Sequence, residues 1–212
     1  MIFSSILKHF VDFLFPKNSK LLQLEMLPAS ELLHLLPPAE DTGDENVLAL
    51  FNYKDALVRE LVWEIKYKGN RNMAKKVAHI LYDVILTELS ERALTENFID
   101  PLLIPVPLSD KRKHKRGYNQ AEILTEEIKN IDKENRLKVL KGQLVKHKDT
   151  VSQTTTATRG ERLANLKGTM HINHEANVRG RSIILIDDVT TTGATFKEAR
   201  RALKEAGAKK IL

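Results

Sequence analysis

The stretch SIILIDDVTTTGAT, residues 182–195, constrains this chain more than any other. Ile183 to Ile186 run without a polar interruption, which suits a strand buried on both faces, as in a parallel sheet. Asp187 and Asp188 then emerge at its carboxyl end, the edge where open parallel sheets bind ligands. The next residues, TTTGAT, lead into a helical pattern with Phe196, Ala199, Leu203 and Ala206 on one stripe and Gly207 as its stop. Free N–H groups and the positive end of the dipole at such a helix start attract an anion, Gly193 permits a tight turn, and threonine hydroxyls add donors. A phosphate suits that loop. Two aspartates would repel it unless they face another part of the same ligand, such as a ribose diol or a bound magnesium. A ribose phosphate satisfies both halves.

The remaining chain reads as alternating strands and helices. VLALFNY (47–53) has the pattern of a strand, and KDALVRELVWEIKYKG that of a helix with Leu57, Leu61, Trp63 and Ile65 toward one side, Trp63 being assigned to the core. A second helical pattern runs from about Met73 to Leu89. PLLIPVPLS is a short buried strand closed by prolines, RGYNQAEILTEEIKN reads as helix, and LKVLKGQLVKH as a further strand. Thr158 and Glu161 stand at capping-box spacing before a short helix. The predicted fold is α/β, a mainly parallel sheet flanked by helices on both faces. Before it, Pro16, Pro28, Pro37 and Pro38 punctuate leucine-rich pieces that end in AEDTGDEN, which sets a boundary near residue 46: an N-terminal helical segment over 1–46 and the main domain over 47–212.

A net charge of +6 favours anionic partners. No cysteine is present, so disulfides and thiolate metal sites are excluded, and the histidines, His114 included, show no ligand spacing. No apolar run approaches the roughly 20 residues that span a bilayer. The start, MIFSSILKHFVDFLF, has helical spacing broken by Lys8 and Asp12 rather than the layout of a signal peptide, so the expected location is cytoplasmic. There is no Walker A sequence and no G-x-G-x-x-G. A receiver domain would need an acceptor aspartate on a later strand, and no aspartate follows Asp188.

IILIDDVTTTGAT resembles the phosphoribosyl diphosphate signature of type I phosphoribosyltransferases. PVPLSDKRKHKRGYNQAEIL, TVSQTTTATRGERLANLKG and FNYKDALVRELVWEIKYKG are more narrowly similar to segments of the ComF family, and the resemblance covers about 47–212. It implies a type I phosphoribosyltransferase fold and assigns roles. Thr190, Thr191, Thr192, Gly193, Ala194 and Thr195 would hold the ribose phosphate, and Asp187 and Asp188 the ribose hydroxyls. Val106, Pro107 and Leu108 would form the diphosphate loop, with Arg112 and Arg116 beside it, since guanidinium donors match phosphate oxygens. Lys66 is a further catalytic candidate, or a solvated helix lysine; KRKHKR (111–116) is part of the site, or a nonspecific basic face. Gln153, within Thr150–Thr156, would belong to a mobile loop over the ligand, although the threonines there also suit a plain polar loop.

The implied cofactor is magnesium carried by phosphoribosyl diphosphate, with no zinc. Many ComF relatives begin with a cysteine-rich, zinc-ribbon-like segment after an FP step, whereas FLFPKNSKLLQLEML has no cysteine and must pack by its leucines. The chain also stops at GAKKIL, inside what reads as the next strand, slightly short of the usual family end. Two functions follow from the resemblance. One is a phosphoribosyltransferase acting on an unidentified acceptor. The other is a noncatalytic accessory in DNA uptake, a ligand sensor or nucleic-acid-binding module, with single-stranded DNA, competence-machinery proteins or a second copy of the chain as partners.

Overall fold

The computed structural model describes residues 19–146 and 167–212. The predicted mobile loop with Gln153, the capping box at Thr158 and the pattern at the chain start lie outside these residues. Two short helices, α1 (Ser19–Met26) and α2 (Ala29–Leu35), precede α3 (Ala56–Lys68) and the long α4 (Arg71–Glu96). There follow β1 (Leu102–Pro105), α5 (Asp110–Arg116), α6 (Gln120–Ile131), β2 (Lys138–Val139), β3 (Leu144–Lys146), β4 (Met170–Ile172), β5 (Ser182–Ile186), α7 (Ala194–Glu205) and β6 (Lys210–Ile211).

The main sheet has the order β2-β1-β5-β6, and all its pairs are parallel. Both central strands are apolar because each feeds two cores at once. Leu103, Ile184 and Ile186 enter the core beneath α3, α4 and α6, while Leu102, Ile104, Ile183 and Leu185 alternate into the one that α7 covers. The predicted coverage on both faces is therefore present. From β1 the chain leads to β2 on one flank and from β5 to β6 on the other, so the seam between β1 and β5 is the switch point where a crevice opens.

Three readings of the sequence change here. VLALFNY is not a strand: Phe51 makes one isolated bridge to Pro38, supported by Ala39 N–H to Leu50 O and Asn52 N–H to Pro37 O. Its partner run begins with two prolines that have no N–H to donate, so no ladder extends from that bridge. The segment instead lies as an irregular wall, held where Arg200 meets Asp44 (2.5 Å) and Arg92 donates to Asn46 Oδ1 (3.2 Å). Trp63 is not core. Val58, Leu61 and Ile65 form the buried stripe of α3, which turns Trp63 outward at 49% exposure, against Tyr67 and under the Lys68 ammonium. LKVLKGQLVKH is split around Gly142 between β2 in the main sheet and β3, which pairs antiparallel with β4.

The N-terminal helices do pack by their leucines: Leu21, Leu24, Leu32 and Leu36 are buried in the core shared with α3 and α4. Lys76 on α4 fastens the end of α1, its ammonium donating to the carbonyls of Leu24 (2.9 Å), Glu25 (2.8 Å) and Leu27. Among the described residues no helix is long and apolar enough to cross a membrane.

Candidate functional site

The register of β1 and β5 brings the two sequence motifs together. Pro105 stands opposite Ile186, and the Val106 N–H donates to the Ile186 carbonyl at 2.9 Å, so the turn at Val106–Leu108 begins beside Asp187. Backbone pairing thus places the predicted diphosphate turn and the acidic pair on one rim of the crevice.

Lys66 reaches this rim from the end of α3. Its ammonium lies 3.0 Å from Asp188 Oδ2, and the carboxylate is only 8% exposed. Lys66 is thus ion-paired within the fold, with its side chain 24% exposed. Gly69 ends the helix just beyond in the left-handed region (φ 61°), and a Cβ there would come within 3.2 Å of the Tyr118 ring. Glycine is needed both for the turn and for the close approach of the Tyr118 ring.

The opposite wall comes from GYNQ, residues 117–120. This stretch is not continuous helix as the sequence pattern suggested. Gly117 closes α5 with φ 80°, and α6 restarts at Gln120 with Asn119 as its cap. The buried Asn119 accepts from Ala121 N–H (3.0 Å) and donates to the Val106 carbonyl (2.9 Å), which ties the Val106–Leu108 turn to the start of α6. Gln120, also buried, donates its amide N–H to Asp188 Oδ1 (3.1 Å) and accepts from Arg116 at 2.6 Å. The Arg116 guanidinium sits 5.1 Å above the Tyr67 ring. Sequence reasoning did not single out Tyr118, Asn119 or Gln120. The Gly stop followed by an Asn start was the available signal.

Asp187 and Asp188 occupy unlike environments. Asp188 is held by Lys66 and Gln120. Asp187 accepts the Asp188 N–H (2.9 Å), and both aspartates border an apolar cavity of about 120 Å³ lined also by Leu61, Ile65 and Phe196. Burial, and then the charge of Asp188, pushes the Asp187 carboxyl well above its usual 3.8, with Lys66 pulling weakly the other way.

At the far end of the crevice, Gly193 (φ 69°) starts α7 without a side-chain cap, and Thr192 Oγ1 accepts from Ala194 N–H at a long 3.4 Å. Thr190 to Gly193 also line a cleft of about 420 Å³ under the wall of residues 39–54. Arg112 lies on α5, half-buried, beyond Pro107 and Leu108, which are themselves half-buried. Thus Asp188, Lys66, Gln120 and Arg116 are linked in one network, Asp187 and the threonine loop stand beside it, and the rest of KRKHKR forms the surface of a short helix. Among the described residues, no three or more His, Cys, Asp or Glu side chains converge to hold a metal ion.

The family model for the phosphoribosyl transferase domain matches residues 104–212. Competence protein F of Haemophilus influenzae is 29% identical over 153 residues, 71% of this chain and 63% of that protein. Competence protein ComFC of Bacillus subtilis is 28% identical over 159 residues, 75% and 58% of the two chains. DNA utilization protein YhgH of Shigella flexneri is 26% identical over 192 residues, 86% and 74%. The chain therefore spans less than two thirds of the length of the first two. With the domain match covering the β1–β5 crevice and these relatives covering most of the chain, the protein belongs to the phosphoribosyl transferase domain family, as a ComF-type member.

Proposed function

We propose that this protein binds phosphoribosyl diphosphate as its magnesium complex and transfers the phosphoribosyl group to an acceptor. The observation that carries this reading is the meeting, at one seam of the sheet, of a carboxylate held by Lys66 and Gln120 with an uncapped helix start rich in hydroxyls. The first suits ribose hydroxyls; the second suits the 5-phosphate. Arg116 and Lys66 would face the diphosphate, and Asp187 would join Asp188 at the ribose.

In the reaction the bond from ribose C1 to the diphosphate oxygen breaks, a bond from C1 to the acceptor atom forms, and the acceptor's proton passes to solvent. Positive charge grows on the sugar and negative charge on the leaving group, so fixed cations and hydrogen-bond donors lower the barrier without a protein nucleophile. Magnesium fits here as the substrate's ion, since it is commonly held by one or two carboxylates plus substrate phosphates rather than by an all-protein cage. It would supply charge neutralisation of the diphosphate.

The test is calorimetric titration of magnesium phosphoribosyl diphosphate into the parent protein and the Asp187→Asn, Asp188→Asn double variant. Saturable binding by the parent, lost in the variant, supports the site and justifies an acceptor screen by diphosphate release. No binding by folded parent protein would sink it.

A second reading, a nucleic-acid-binding accessory, is favoured by a separate surface. Trp63 and Tyr67 are exposed one helical turn apart, with ring centroids 5.8 Å apart, next to the basic α5. Such rings stack bases while cations follow the phosphates. Single-stranded DNA binding would then weaken with salt by roughly 0.7 in log–log slope per phosphate contact, and would depend on Trp63, Lys111, Arg112, Lys113, Lys115 and Arg116. Salt-independent binding would refute it.

A further inference from the structure

We infer that Gln120 is a positioning residue that locks the cation meant for the diphosphate to the carboxylate meant for the ribose. The inference rests on the phosphoribosyl reading and deepens it. Gln120 is 3% exposed and sits in the first turn of α6, between two groups from different segments. Its amide nitrogen faces Asp188 Oδ1 at 3.1 Å, and its amide oxygen takes an Arg116 N–H at 2.6 Å. The partners fix which way the amide points, because a carboxylate only accepts and a guanidinium only donates.

The contacts close into a ring. Lys66 holds the other oxygen of Asp188, Tyr67 follows Lys66 on α3, and the Tyr67 ring lies beneath Arg116. Three segments, the end of α3, the α5–α6 junction and the end of β5, are thereby joined in a ring that one buried amide closes. No other side chain substitutes simply. Glutamate would bring a second negative charge against Asp188, and leucine would leave both Asp188 and Arg116 without a partner they now have. The bridge still leaves both ends competent. A guanidinium has five N–H groups and Gln120 uses one, while each carboxylate oxygen has a further lone pair for a hydroxyl.

The experiment is calorimetry with magnesium phosphoribosyl diphosphate, ribose 5-phosphate and inorganic diphosphate on the parent, Gln120→Leu and Gln120→Glu proteins, from about pH 5 to about pH 8. The leucine variant is expected to bind all three probes roughly tenfold to a hundredfold more weakly. The glutamate variant is expected to bind weakly at the upper pH and to recover toward the parent at the lower, because a protonated carboxyl offers an O–H to Asp188 and a carbonyl to Arg116. A role in packing alone would give no such profile. Should the leucine variant fail to fold, the pH profile of the glutamate variant decides. Affinity unchanged across the pH range, or loss confined to either half of the ligand, would overturn the bridge. Absence of binding by the parent would instead overturn the phosphoribosyl reading beneath it.

Discussion

The two ends of the crevice are built on opposite plans. At the β1 end, side chains are already bonded to one another: Asn119 to Val106, Gln120 to Asp188 and Arg116, and Lys66 to Asp188. At the α7 end, Gly193 caps nothing with a side chain, and the nearest hydroxyl makes a bond of only 3.4 Å. One end holds its geometry through internal partners that still leave donors on Arg116 and lone pairs on Asp188. The other presents backbone N–H groups that Gly193, with no side chain, does not cap. Stability should therefore be concentrated at the first end and affinity for a phosphate at the second.

Four substitutions sharpen or break this contrast. Asn119→Ala removes a helix cap and strands the Val106 carbonyl, and should cost about 2 kcal/mol in urea unfolding; a loss no larger than that of an exposed control would break the comparison. Asp187→Asn should act in the opposite direction. Because the folded carboxyl is raised above its usual 3.8, the folded parent binds the proton more tightly than the unfolded chain does, so its stability falls as pH rises from about that value to the folded one. The variant should lose that slope and be the more stable protein at neutral pH, as thermal melts across a pH series would reveal. Gly193→Ala forces a Cβ onto a φ of 69° and should cost about 1 kcal/mol, with a larger proportional loss in affinity for ribose 5-phosphate. Thr192→Val should leave stability within about 0.5 kcal/mol while weakening the same ligand; an equal loss in both would show that the α7 end is braced like the other.

What the sequence disclosed follows the same divide. The apolar strand, the acidic pair and the threonine–glycine loop are contiguous, so period and chemistry sufficed to place Asp187, Asp188 and the α7 start at one edge. The bonded end was less legible because its partners are distant in sequence: nothing in IKYKG says that Lys66 meets Asp188, and nothing in RGYNQ says that the amide of Gln120 stands between Arg116 and that same aspartate. The VLALFNY pattern misled because a strand also needs a neighbour able to donate, and Pro37 and Pro38 are not. Trp63 misled because its pattern groups it with Leu61 and Ile65, whereas the stripe formed by Val58, Leu61 and Ile65 leaves it on the outer face.

The clasp made by Lys76 has a consequence of another kind. Its three acceptors are main-chain carbonyls, those of Leu24, Glu25 and Leu27, and every amino acid carries the same carbonyl. The clasp itself thus depends on one lysine and not on the side chains it grips, although Glu25 also accepts from the Asn70 amide at 2.7 Å and Leu24 is buried in the core. Of the three positions gripped, Leu27 is the one freest to change while the clasp is kept, since Leu24 is core and Glu25 binds Asn70.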